Sequence, residues 1–346
     1  MAGGTQGRSR ALGCLAFAGA VLALAFPAAA ESAYPGANGR IALTVQTWRY
    51  PPPEPPPPPG VQIPGLPIDP ELISTRMVSV LPNGERKRRL HTVPVERATF
   101  FGPAPAFSPN GELIAFVEGE RLAIMRHDGT RRRMLPPIKG GVSVPAWSPN
   151  GRRLAFSRQR PCPVYCGSLY SVRRNGTGLR RIMDHQALWP AWSVRGRIAF
   201  LNNDDEVGMP TGPRDGLYSV RPDGSRRRRL FGSVAALGNE PDWSPDGRRL
   251  AVRAHGRVVT MNPDGSGRRA ITGAGRPLSH PAWSPDGKYI AAIGGKEGRD
   301  DHGLYIMRPN GRGLRKVVDA RRTMSSDGEL LKWQVLVSPS WQPLPR

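Results

Sequence analysis

Two residues with the chemistry of metal ligands or proton carriers stand at matching places in a repeated phrase. Glu240 lies in "NEPDW" and His280 in "SHPAW", just before the tryptophan, and His185 precedes a third copy in "DHQALWPAW". Carboxylates and imidazoles bind divalent cations. Asp300, Asp301 and His302 in "GGKEGRDDHG" could complete such a set from another segment. No local spacing marks these residues as a metal motif, so polar side chains lining a water-filled channel explain them as well. Asp204, Asp205 and Glu206 are a run of acids without the D-x-D-x-D-G pattern of a calcium loop. No G-x-S-x-G nucleophile elbow occurs.

Two further groups carry chemistry. Cys162 and Cys166 form a close pair in "CPVYC". In an oxidising compartment such a pair is expected to form a disulfide, since a zinc site would need two more ligands nearby. The other group is cationic. The formal net charge is +23, and basic residues gather in six clusters, each just after an Asn-Gly or Asp-Gly pair. They are Arg86 to Arg89 (with Lys87 among them), Arg131 to Arg133, Arg180 and Arg181, Arg226, Arg227, Arg228 and Arg229, Arg268 and Arg269, then Arg312, Arg315 and Lys316. A ring of such clusters would attract polyanions such as phosphate-bearing wall polymers, anionic lipid headgroups or acidic glycans, with strong salt dependence. Charge on exposed edge strands also prevents sheet-to-sheet aggregation, which is the competing reading.

The N-terminus bears on the compartment. Arg8 and Arg10, the apolar run "ALGCLAFAGAVLALAF" and "AAA" at 28–30 have the order of a signal peptide over 1–30. Residues 31–346 are then the exported domain, expected to be periplasmic, cell-wall associated or secreted. No later stretch is apolar enough to span a membrane. The expected partner is an envelope protein or anionic polymer rather than nucleic acid. No cofactor is expected, and the protein is read as a monomer.

The elements that position these residues follow from the phrase itself. "PAFSPNGELIAF" (105–116), "PAWSPNGRRLAF" (145–156), "PAWSVRGRIAF" (190–200), "PDWSPDGRRLAV" (241–252) and "PAWSPDGKYIAA" (281–292) recur every 40 to 51 residues. A repeat of that period is one supersecondary unit. In each, an apolar strand ends in an aromatic, a Ser-Pro-Asx-Gly turn follows, and a second strand begins. Farther on comes a "GLYSVRPDG"-like strand and a hairpin at its Asx-Gly. Each unit is therefore four antiparallel strands, a to d, which must stack on neighbours to bury both faces. Asn110 and Asn150 stand where Asp246 and Asp286 stand in sister copies. That exchange suits a turn residue and not a catalytic carboxylate. The recurring tryptophans read as inter-blade core.

The chain ends complement each other. "PGANGRIAL" (35–43) begins at a turn with no aromatic strand before it, and "SPSWQP" (338–343) is an aromatic strand with no partner after it. Trp341 is expected in strand a and Ile41 to Leu43 in strand b of one shared blade. The fold class is all-β, a closed six-bladed β-propeller of four-stranded antiparallel blades. The b–c and d–a loops share one face and carry the irregular insertions, including the Pro-rich loop at 51–67. Variable loops on a rigid scaffold are a usual place for binding.

The "PxWSPDGxxIAF" phrase, the "GLYSVRPDG" run and the basic strand after it resemble the TolB-like (WD40-like) β-propeller repeat. That resemblance implies the propeller fold over nearly all of the exported domain. For function it implies a periplasmic or secreted binding protein, the accessory propeller of a peptidase, or a polysaccharide lyase. The expected function is non-enzymatic binding of a protein or anionic polymer at the cell envelope. The alternative is a metal-dependent polysaccharide lyase or lactonase acting at the mouth of the propeller channel.

Overall fold

The computed structural model describes residues 36–50, 70–98, 102–159, 167–202, 215–232, 241–295, 301–324 and 330–345. Every sheet in it is an antiparallel blade. Blade 2 comprises Ala106–Phe107, Leu113–Glu118, Arg121–Arg126 and Arg133–Met134. Blade 3 comprises Val142–Trp147, Arg153–Gln159, Gly167–Arg173 and Arg180–Gln186. Blade 4 comprises Leu188–Trp192, Ile198–Asn202, Gly216–Val220 and Arg228–Gly232. Blade 5 comprises Asp242–Trp243, Leu250–Ala254, Arg257–Met261 and Arg269–Ala270. Blade 6 comprises Leu278–Trp283, Ile290–Gly294, Gly303–Met307 and Arg315–Asp319.

Blade 1 joins the two ends of the chain. Leu330–Leu344 supplies strand a, and Ala37–Arg49, Glu71–Val80 and Arg88–Val93 supply strands b, c and d. Trp341 sits opposite Ile41, and Ser340 opposite Ala42. Trp147 opposite Leu154 and Ala146 opposite Ala155 is the same register in a blade built from continuous chain. Consecutive a strands touch one another all the way round, blade 6 to blade 1 included. The six-bladed ring is closed, as the complementary ends require. Blade 1 departs from the expected four strands: Arg322–Met324 pairs with the lower part of Leu330–Leu344, giving a fifth strand. The repeat phrase contains nothing from which that strand could be read.

The recurring side chains account for the closure. Six apolar clusters fill the six seams between neighbouring blades. In three seams the strand a tryptophan donates its indole N–H across to the neighbouring blade: Trp147 to Ala106 O at 2.9 Å, Trp243 to Ala191 O at 3.2 Å, and Trp341 to Ala282 O at 3.0 Å. Each tryptophan thus adds directional bonding to apolar burial.

The turns are local devices. In the a–b turns, Asn110, Asn150, Asp246 and Asp286 accept the backbone N–H two residues on. The c–d hairpins repeat that bond at Asn83, Asp128, Asn175, Asp223, Asp264 and Asn310. Asn and Asp serve alike because only an acceptor oxygen is needed. The phrase is architecture.

Candidate functional site

Two regions collect functional side chains, one at the axis and one on the hairpin face. The axial one begins with a backbone peculiarity. Ala104, Val144, Trp189, His280 and Ser338 each lie three residues before the strand a aromatic and directly before a proline, and all five adopt φ between 31° and 53°. A residue before proline ordinarily takes extended backbone. Here the ladder register jumps at the proline in blades 3, 4 and 6, as in a bulge. Ala104, Val144 and Trp189 come from three blades yet share one apolar cluster. These positions therefore converge near the axis. Blades 2, 3 and 4 contribute apolar groups there, and blades 6 and 1 contribute His280 and Ser338.

His280 is 2 % exposed, with Nδ1 2.8 Å from Ser279 Oγ. Burial, then the charges of Arg253 and His302, hold its pKa well below the ordinary imidazole value. His302 and Arg253 of blade 5 thus stand close enough to act on His280. Arg253 was missed because it stands in mid-strand with no pattern around it. Asp301 is turned to other work: its carboxylate meets Arg276 at 3.4 Å, and its backbone O accepts the Tyr305 hydroxyl at 2.7 Å. Arg276 lies 5.0 Å over the Tyr305 ring, and burial pushes that phenol up to about 12. His185 belongs to strand d of blade 3, Arg180–Gln186, on the blade's far edge from strand a. Glu240, Asp300, Cys162, Cys166, the acids at 204–206 and the Pro-rich loop lie outside the described residues.

Among the described residues no three His, Cys, Asp or Glu side chains stand close enough to hold a metal ion. Among the described residues, Arg253 and His302 are the charged neighbours that bear on His280. No helix among the described residues is long and apolar enough to cross a membrane, which says nothing of β-barrels.

The hairpin face carries the basic clusters and further arginines at the ends of strands b and c, and these arginines divide into two kinds. Some are built into the fold. Arg40, Arg153 and Arg197, at the start of strand b, each donate Nε to a strand c hydroxyl: Ser79 at 2.9 Å, Ser171 at 3.2 Å and Ser219 at 3.1 Å. Arg249 reaches Thr260 Oγ1 at 3.4 Å in the same way. Arg227 lies 4.5 Å over the Tyr218 ring and donates to Asn202 Oδ1 at 2.8 Å. Arg229 donates to Asp215 O at 2.6 Å, and Arg268 crosses to Leu230 O at 3.0 Å. Arg227, Arg229 and Arg268 remain exposed while holding these bonds.

The second kind crowds against other arginines, with Asp223 near Arg221 and Asp264 near Arg228 as partial counter-charges. Burial first, then Arg221, Arg228 and Arg226, hold the Arg197 guanidinium below its usual pKa. Burial, Arg173 and Arg180 do the same to Arg153 in the next blade. Like charges so placed make blades 3 and 4 a strongly electropositive part of this face.

A closed ring of short antiparallel blades, sealed by aromatic residues and carrying a cationic face, defines a β-propeller. The chain belongs to the PD40 family, the TolB beta propeller domain, whose pattern matches residues 93–320. It is 30% identical over 201 residues to a tricorn protease homolog 2 of Streptomyces coelicolor, covering 55% of this chain and 17% of that one. It is 26% identical over 220 residues to the uncharacterized peptidase YuxL of Bacillus subtilis, covering 59% of this chain and 31% of that one. The chain thus spans less than a third of the length of either relative. In three dimensions it is similar to TolB from Acinetobacter baumannii, with a TM-score of 0.60 at 18% identity over 88% of this chain and 67% of that one. That likeness concerns the fold.

Proposed function

We propose that the protein is an exported, non-enzymatic binding module that holds an acidic partner, a protein or an anionic polymer, on its hairpin face at the cell envelope. The observation that carries this reading is the crowding of Arg221, Arg226 and Arg228 about Arg197, beside Arg173 and Arg180 about Arg153. Holding like charges together costs free energy that an anionic partner returns. The turns beneath are rigid, so little ordering accompanies binding. The signal-peptide pattern of 1–30 supports export, and Cys162 and Cys166 are assigned to one disulfide in the exported form.

Binding to polyphosphate measured across a salt series tests the reading. Affinity is expected to fall steeply, with a log–log slope set by the number of phosphates the arginines neutralise. Replacing Arg221 and Arg228 with Gln is expected to lower that slope by about 2, one for each phosphate-binding arginine removed. A slope near zero in the parent, or an unchanged slope in the variant, overturns the reading.

A further inference from the structure

Blade 6 breaks the repeat at one place, and the break opens a groove. Four blades begin strand b with arginine, tied to a hydroxyl-bearing residue on strand c: Ser79, Ser171, Ser219 or Thr260. Blade 2 substitutes an apolar pair, Leu113 and Ile124, and Leu113 is half-buried. Blade 6 has Tyr289 and Ile306 instead, and Tyr289 is 36% exposed. A tyrosine serving only the core would be covered.

Tyr289 lines two cavities, one at the seam of blades 6 and 1 and one on blade 6. One, of about 320 Å³, is also lined by Leu81, Pro82, Arg315 and the almost fully covered Ile306 and Trp341. The other, of about 430 Å³, is bounded by Lys288, Arg308 and Pro309. Both expose mainly apolar surface, and the second is lined in part by the stems of the basic residues Lys288 and Arg308. Leu314 and Leu344, also exposed, belong to these two blades. Arg315 is held in place by donating to Pro82 O at 3.1 Å across the seam.

We propose that this groove takes a bulky apolar side chain of an acidic polypeptide, the side chain resting against Tyr289 and Leu81 and its flanking carboxylates meeting Lys288 and Arg308. The inference rests on the reading of the face as a site for an acidic partner and narrows that partner to polypeptide. A uniform anionic polymer has no apolar group for this surface, so it gains nothing from Tyr289. An acyl tail needs a longer apolar surface than this short groove supplies.

The test uses two fluorescein-labelled glutamate-rich decapeptides, one with a central Phe and its twin with Ala, followed by fluorescence polarisation. The Phe peptide is expected to bind the parent about tenfold more tightly, the effect of burying part of an aromatic ring. Tyr289→Ala is expected to abolish that preference and leave the Ala twin unchanged. A second variant, Tyr289→Arg with Ile306→Ser, restores the lock of the other blades. It is expected to melt like the parent and also lose the preference. Equal binding of the two peptides by the parent, or a preference that survives both variants, overturns the inference while leaving the acidic-partner reading intact. Displacement of both peptides by polygalacturonate in a manner that depends on Tyr289 assigns the groove to acidic glycan and overturns it too. Failure of both peptides to bind the parent overturns the inference and the reading together.

Discussion

Replacing Trp341 with Ala tests whether the ring is closed, because its partner in sequence lies at the other end of the chain. The side chain is 4% exposed and donates to Ala282 O at 3.0 Å. Its backbone pairs with Ile41. Truncating a buried tryptophan costs about 3–5 kcal/mol, and about 1 kcal/mol of this is the missing indole bond to a buried carbonyl. Trp147→Ala is the matched control, since Trp147 is 1% exposed and makes a 2.9 Å bond in a seam between consecutive blades. A closed ring predicts similar losses of stability for both, because both seams are packed in the same way. At roughly 2 °C per kcal/mol for a domain of this size, each variant should melt about 6–10 °C lower by calorimetry. Trp341 also lines the groove beside Tyr289, so water entering there places its effect toward the lower end. An open array would leave Trp341 at a free edge. If Trp341→Ala melts like the parent while Trp147→Ala does not, the closure is wrong.

Two other outcomes follow from the backbone and the buried histidine. Arg226 has φ 53°, at the hairpin place where blades 3, 5 and 6 have Gly178, Gly267 and Gly313 at φ 60° to 68°. Arg226→Gly relieves about 1 kcal/mol of left-handed strain, partly offset by the freer unfolded chain, so the melting temperature should hold or rise slightly. A clear fall would show that the side chain contributes more than the strain it imposes. His280 has a folded pKa well below its unfolded value, so the unfolded chain binds the proton first as pH falls. Stability is fully present above about pH 6.5 and is lost below it, by up to about 1.4 kcal/mol per pH unit until the folded pKa is reached. Chemical denaturation at pH 7.5, 6.5 and 5.5 should show that slope, and His280→Asn should flatten it. Equal slopes in the two proteins would refute the assignment.

The amino-acid sequence by itself determined the blades, their number and their closure. Those features rest on short-range chemistry, and that chemistry repeats. The Asx oxygen of Asn110 or Asp286 bonds an amide two residues away, and the complementary halves at Ile41 and Trp341 leave one arrangement without a free edge. What surrounds His280 was only half legible. The sequence singled out His280 and His302, but Arg253 joins them through a packing of separate blades that leaves no local spacing. The convergence of Ala104, Val144 and Trp189 had a signal, a residue three before each aromatic and always followed by proline. Its meaning depends on left-handed backbone that propensity disfavours and tertiary contacts impose. The basic clusters show the same division. Sequence placed them on one face, but an arginine reads the same whether it locks Ser219, as Arg197 does, or crowds against Arg197, as Arg228 does. Tertiary structure alone decides, because the distinction is the presence of an acceptor on another strand within hydrogen-bond reach.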